Sequence, residues 1–282
     1  MSKLLACLVF SWLLAAAPAA AQELVPGPLS SPGDELNASF TPDGQTVYFT
    51  RKLDKTSAVI MVSHRHGAAW TTPTVAPFSG KYPDYDPFVA PDGRRLFWIS
   101  KRPVDGGPRD DLDIWMVEQE GNGWGLPMHL EAPVNSDAGE FYPTVARNGT
   151  LYFSSNRPGG QGRGDIYRAP LVDGRYGPVE SLGDSVNSAA FDGDPFIAAD
   201  ERYLIFTGWG RAGGDAEGDL YYAEHRNGVW GTPRRLRDGI NTSSQEYAPI
   251  VSPDGEWLYW TSYRRNNQGD VYRIPLADAF SP

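Results

Sequence analysis

The sequence predicts an all-β fold, a five-bladed β-propeller, and three observations carry that reading. One strand–turn–strand unit recurs five times along the chain. Aromatics make up 12% of residues, with 31 Gly and 24 Pro, a composition that suits many short strands joined by tight turns. The N-terminal stretch also carries a segment of the kind that the fifth unit lacks.

The repeat is set by its turns, "TPDGQT", "APDGRR", "ARNGTL", "AADERY" and "SPDGEW", centred on Asp43, Asp92, Asn148, Asp200 and Asp254. A period of this size marks a repeat architecture and is read before any local structure. Each turn leads into a short apolar run, "VYF", "LFW", "LYF", "LIF" and "LYW". Asp-Gly and Asn-Gly accept the positive φ of a hairpin, and an apolar run without alternation suits a strand covered on both faces. The second strand of each unit is therefore expected between neighbouring units.

A polar loop then leads to a third strand, opening "DIW" at Asp113, "DIY" at Asp165, "DLY" at Asp219 and "DVY" at Asp270, with Ala58-Val59-Ile60 in the first unit. In four units a Gly-Trp or Gly-Tyr turn follows (Gly67 with Trp70, Gly123 with Trp124, Gly174 with Tyr176, Gly228 with Trp230) and enters a fourth strand. Four antiparallel strands per unit, with almost nothing between units, describe propeller blades, which stack radially because one blade cannot bury both faces alone. The fifth unit stops at Leu276, short of a fourth strand. Six residues before an acid that precedes each turn stand Leu29, Phe78, Val134, Val186 and Ile240, and the N-terminal copy obeys the same rule. Residues 22 to 29 are thus expected to pair with the last blade and close the ring, which removes free edges.

Ahead of the first blade, "MSKLLACLVFSWLLAAAPAAAQ" places Lys3 before an apolar run and ends in small residues. That is the layout of a cleaved secretory signal over residues 1–21, with the propeller over 22–282 and no stable membrane insertion after cleavage. Cys7 is the only cysteine, so the exported protein would rest on packing without disulfides, and Cys-based metal or nucleophile sites are excluded. The formal charge of −10 is spread along the chain. Nucleic acid is excluded as a partner by the lack of clustered Lys and Arg.

With "SPDGEWLYWTSYRRNNQGDVY" in view, the chain resembles the TolB-like, or WD-repeat-like, β-propeller repeat family of bacterial envelope proteins. Units of that family combine a Pro-Asp-Gly turn, an aromatic strand, a Ser/Arg loop and an Asp-Ile-Tyr strand. The resemblance covers the five repeats and implies a propeller in the cell envelope. TolB carries a further α/β domain through which it engages envelope partners, and none is expected here, so its role is not carried over. Related propellers precede peptidase domains, but the chain has no Gly-x-Ser-x-Gly elbow to seat that activity.

The most regular polar position lies eight residues before each turn centre: Glu35, Asp84, Glu140, Asp192 and Glu246. Three residues later stand Pro87, Pro143, Pro195 and Pro249, with Ala38 in the first unit. Proline belongs on an edge strand, and a propeller's innermost strand is an edge facing the channel, so the five acids are expected around one channel mouth. Two carboxylates about 6 Å apart repel by roughly 3 kcal/mol at an effective dielectric near 20, so the ring needs cations. Arg51, Arg102, Arg157 and Arg264 stand in loops that open on the same face. The first reading is a network of acid, Arg and the Asp of each "DIY" motif that orders the loops. A Ca²⁺ ion at the mouth is the alternative. Catalysis by five equivalent acids is disfavoured, because acid and base need different environments.

Function is better sought where the symmetry fails. The fourth blade has "GWGRAGGDAEGD", which sets Trp209 beside Arg211, Asp215 and Glu217, and a tryptophan there can stack on a sugar or peptide or simply fill the rim. The second blade's loop, "KRPVDGGPRDD", is the longest, and Tyr85, Phe141 and Tyr247 follow three of the acids. They either line a pocket or pack. His64, His66, His129 and His225 are scattered over three blades; His64 and His66 alternate along a strand end and read as a solvated turn, with a weak metal pair as the alternative. The sequence thus predicts a periplasmic or secreted propeller that binds an envelope protein, a peptide or a glycan on its acidic loop face, without a cofactor. The alternative is a glycan-active hydrolase or lyase that uses channel-mouth carboxylates.

Overall fold

The structure, a computed structural model, describes residues 22–25, 27–104, 107, 111–214, 216–265 and 267–280. The expected signal segment, Asp215 and part of the long second-blade loop lie outside them. The chain forms a five-bladed propeller. Its inner strands are Asp34–Phe40, Asp84–Val89, Glu140–Val145, Phe191–Ile197 and Glu246–Val251. Second strands follow at Thr46–Lys52, Arg95–Ser100, Leu151–Ser155, Tyr203–Trp209 and Trp257–Arg265, and third strands at Ala58–His66, Asp113–Glu120, Asp165–Ala169, Asp219–Arg226 and Gln268–Pro275. In blades one to four a two-residue outer strand pairs with the third strand.

Blade five is completed from the other end of the chain. Glu23 and Leu24 pair antiparallel with Arg273 and Tyr272. The Val25 N–H extends the ladder to the Val271 carbonyl at 2.9 Å, and Gln22 accepts a hydrogen bond from Arg264. Circular closure therefore joins residues some 250 positions apart, and it holds as the register predicted. Leu29, Phe78, Val134, Val186 and Ile240 are all buried.

The second strands supply the largest fully buried side chains, among them Phe49, Trp98, Phe153, Phe206 and Trp260. They are sandwiched between blades, which is why their sequence runs apolar without alternation. Among the described residues no helix is long and apolar enough to cross a membrane.

Candidate functional site

Glu35, Asp84, Glu140, Asp192 and Glu246 are each 0% exposed, and none of them lines the channel-mouth cavity. Each carboxylate instead folds the chain just before it. Glu35, Glu140, Asp192 and Glu246 accept both the backbone N–H and the hydroxyl of the residue four positions earlier: Ser31, Ser136, Ser188 and Thr242. In blade two Ser79 donates its hydroxyl to Asp84 at 2.7 Å.

Every acid also meets one arginine: Arg51 at 2.8 Å, Arg102 at 3.5 Å, Arg157 at 2.9 Å, Arg211 at 2.5 Å and Arg264 at 3.2 Å. Arg211, on the irregular loop, fills in blade four the place that the Ser-x-Arg loops fill elsewhere. In blades two to five the guanidinium also donates to the carbonyl of Phe78, Val134, Val186 or Ile240. It lies between two rings, one from the second strand and one from the "DIW/DIY" motif: Trp98 and Trp115, Phe153 and Tyr167, Phe206 and Tyr221, Trp260 and Tyr272. Cation–π contact and the ion pair act together here, and this is the physical reason that both motif positions are aromatic. Burial pushes the Glu140 carboxyl up, against the opposing pull of Ser136 and Arg157. The motif aspartates take other partners: Asp113 meets His129 at 2.9 Å, Asp219 meets Arg235 at 3.0 Å and Asp270 meets Arg265 at 3.0 Å, while Asp165 accepts the Gln161 and Gly162 N–H groups.

The channel wall belongs to the position two residues after each acid. In all five blades the pairing of inner and second strands slips there by a bulge. The residues at this point, Asn37, Asp86, Tyr142, Asp194 and Ala248, all adopt φ between 47° and 58°. A bulge re-aims a side chain, and left-handed backbone at non-glycine residues is costly strain of the kind that gathers at functional sites. The acid two residues earlier is kept in all five blades, whereas this position holds Asn, Asp, Tyr, Asp and Ala.

Tyr142 passes through the channel and sets its hydroxyl 3.4 Å from the Pro249 carbonyl of blade five. The space is divided in two. A cavity of about 390 Å³ opens on the turn face between Pro42, Pro91, Asp200 and Pro253, and one of about 720 Å³ opens on the opposite face. The two share no lining residue, and with Tyr142 reaching from blade three to Pro249 of blade five the larger one forms a cup on the face away from the turns.

Asn37, Asp86 and Asp194 lie in the cup, with Tyr85, Phe141, Phe191, Trp209, Tyr247 and Tyr263 among its walls and Lys52, Lys101 and Arg163 contributing positive charge. Asp86 takes the amide of Asn37, its own backbone N–H donating to Thr50 Oγ1 at 3.0 Å. Asp194 accepts the Ala248 N–H at 3.3 Å and the Thr207 hydroxyl at 3.4 Å. Both carboxyls touch channel solvent yet are hemmed in by protein. Burial pushes Asp194 up to about 7, against the pull of its Ala248 and Thr207 bonds. Burial first, then the charge of Asp194, pushes Asp86 well above the usual carboxylate range, with the Tyr142 N–H and Lys52 pulling the other way. Asn37 is 4% exposed, and its Oδ1 has no hydrogen-bond partner.

The aromatic positions singled out in the sequence come together here. Tyr85, Phe141 and Tyr247 line the cup, as does Trp209, which packs edge-on against Phe191 with ring centroids 5.2 Å apart. Tyr247 and Tyr263 stack at 6.1 Å and 10°, and Lys52 donates to the Tyr263 hydroxyl at 2.9 Å. Sequence reasoning missed Asn37, Asp86 and Asp194. Their signal was a column of the repeat that fails to repeat while its neighbours do.

No protein-family model and no curated protein matches the sequence. Solved structures do share the fold. TolB from Acinetobacter baumannii is 17% identical with a TM-score of 0.53, over 88% of this chain and 55% of that one. A putative TolB from Agrobacterium tumefaciens is 17% identical with a TM-score of 0.55, over 84% of this chain and 72% of that one. An arabinanase from Bacillus subtilis is 13% identical with a TM-score of 0.55, over 87% and 95%. The chain thus spans little more than half the length of the Acinetobacter TolB. These likenesses establish the propeller; they leave its activity open.

Proposed function

We propose that this protein is an exported binding propeller that takes a saccharide end-on in the cup, with Trp209 and the stacked Tyr247–Tyr263 pair as walls and Asn37, Asp86 and Asp194 as floor. The observation that carries the reading is the cup itself: aromatic faces around a floor of side-chain oxygens. Sugar rings present C–H faces that pack on aromatic rings and hydroxyls that need acceptors, so both halves of the cup are used by one ligand. A volume of about 720 Å³ matches a small saccharide. Tyr142 across the axis favours the terminus of a glycan over a polymer threaded through.

The test is saturation-transfer NMR and calorimetry with neutral and amino mono- and oligosaccharides, comparing the native protein with Trp209→Ala. Binding that weakens roughly two- to twelvefold in the variant supports the reading, since an aromatic contact of this kind is worth about 0.5–1.5 kcal/mol. Saccharide binding indifferent to Trp209, or none at all, sinks it.

A second reading keeps the cup and adds turnover. Asp86 and Asp194 line the open cup in unequal surroundings, both with raised proton affinity, which is how one carboxyl can serve as acid and another as base. Release of reducing ends from an oligosaccharide, abolished by Asp86→Asn and by Asp194→Asn, would establish it.

A further inference from the structure

We propose that the floor of the cup is a subsite for a protonated primary amine, so that the ligand is an amino sugar; this rests on the saccharide reading above. The bulge residues bring the carboxyls of Asp86 and Asp194 and Oδ1 of Asn37 to the cup, beside the Tyr85, Tyr247 and Tyr263 hydroxyls and the Gln245 amide. Asn37 has committed its amide nitrogen to Asp86, and its oxygen, nine-tenths buried and more, is without a partner. A buried acceptor left open costs free energy that a ligand donor can relieve.

The three acceptors ask for donors. An ammonium carries three N–H donors and no lone pair, whereas a hydroxyl brings one donor and two lone pairs that would face oxygen. Charge points the same way. The cation that acts on Asp86 is Lys52, whose ammonium is already engaged with the Tyr263 hydroxyl. Lys101 and Arg163 are exposed to solvent, and the tyrosines facing the floor, Tyr142 and Tyr247, are held neutral by burial. Burial makes both carboxyls hold their protons more firmly than usual, so a positive guest is the one that lets them ionise and pair with it, and the Tyr247–Tyr263 pair and Phe141 supply ring faces for its charge. Calcium takes about six to eight oxygen ligands, more than these side chains supply without water. Among the described residues no group of three or more His, Cys, Asp or Glu side chains could hold a metal.

The experiment is calorimetry on the whole protein at pH 6.5 with glucosamine, glucose, N-acetylglucosamine, methylammonium chloride and calcium chloride in turn. Glucosamine is expected to bind at least tenfold more tightly than either neutral sugar, with methylammonium competing. Asp194→Asn and Asn37→Leu, each checked for a native melting transition, should shrink that preference to threefold or less. If the neutral sugars bind as well as glucosamine, the amine subsite is overturned while the saccharide reading stands. Should methylammonium bind and no sugar do so, the subsite stands and the saccharide reading falls. Calcium that excludes glucosamine also overturns the proposal.

Discussion

Replacing Asp194 with Asn should make the protein more stable, by an amount that grows as pH rises from about 4 to about 7. The folded carboxyl holds its proton up to about 7, against a usual value of 3.8. Between those values the folded state binds more protons than the unfolded chain, so stability falls as pH rises and the loss is complete above the folded value. Three pH units at about 1.4 kcal/mol each set a ceiling of about 4 kcal/mol. Solvent in the cup screens the charge, so about 2 kcal/mol is the expected gain of Asp194→Asn at pH 8, shrinking toward zero near pH 4. The amide oxygen can still accept from the Ala248 N–H and the Thr207 hydroxyl, so no bond is forfeited. Urea unfolding of both proteins at pH 4.5, 6 and 8 measures the effect. A native stability that is flat or rising from pH 4.5 to 8, or a variant no more stable than native at pH 8, would refute the placement of this carboxyl in a water-poor cup.

Glu140→Ala leaves the Arg157 guanidinium and the Ser136 hydroxyl without their acceptor. It should cost about 3 kcal/mol, or roughly 6–12 °C in melting temperature, while leaving the sugar affinity of the folded fraction unchanged; a loss of binding at full stability would move Glu140 into the site. Val25→Asp sets a charge into the seam where Val25 meets Val271 and should lower the melting temperature by roughly 6–10 °C, followed by circular dichroism. An unchanged transition would mean that the N-terminal strand does not hold the ring shut. Tyr142→Gly should join the two cavities, and a crystal structure with continuous solvent along the axis is the expected result; a collapsed axis would show that Tyr142 is a packing element and not a plug.

The fold was legible because propeller blades are local. Each Asp-Gly turn joins strands adjacent in sequence, and the two motif aromatics of blades two to five, such as Phe153 and Tyr167, come from neighbouring strands of one blade. Even ring closure could be read, since the apolar register at Leu29 copies that of Phe78, Val134, Val186 and Ile240. The ring acids were legible as a column, and so were the arginines beside them. Their direction was not. Whether Glu140 points into the channel or back toward Ser136 depends on the bulge between Phe141 and Thr144, which shifts the alternation of side chains on a strand otherwise ordinary in sequence.

What the sequence by itself determined is therefore the architecture: five equivalent blades, their clamped loops and the closing strand, all built from contacts within one repeat or between like positions of the next. Only the tertiary structure decided the cup. Asn37, Asp86 and Asp194 come from three different blades, spread over more than half of the chain, and become neighbours because the ring brings their left-handed bulges to a common axis. Within any single repeat each of them is an unremarked polar residue, since the charge repulsion, burial and open acceptor that define the site exist only when the three face one another across the channel.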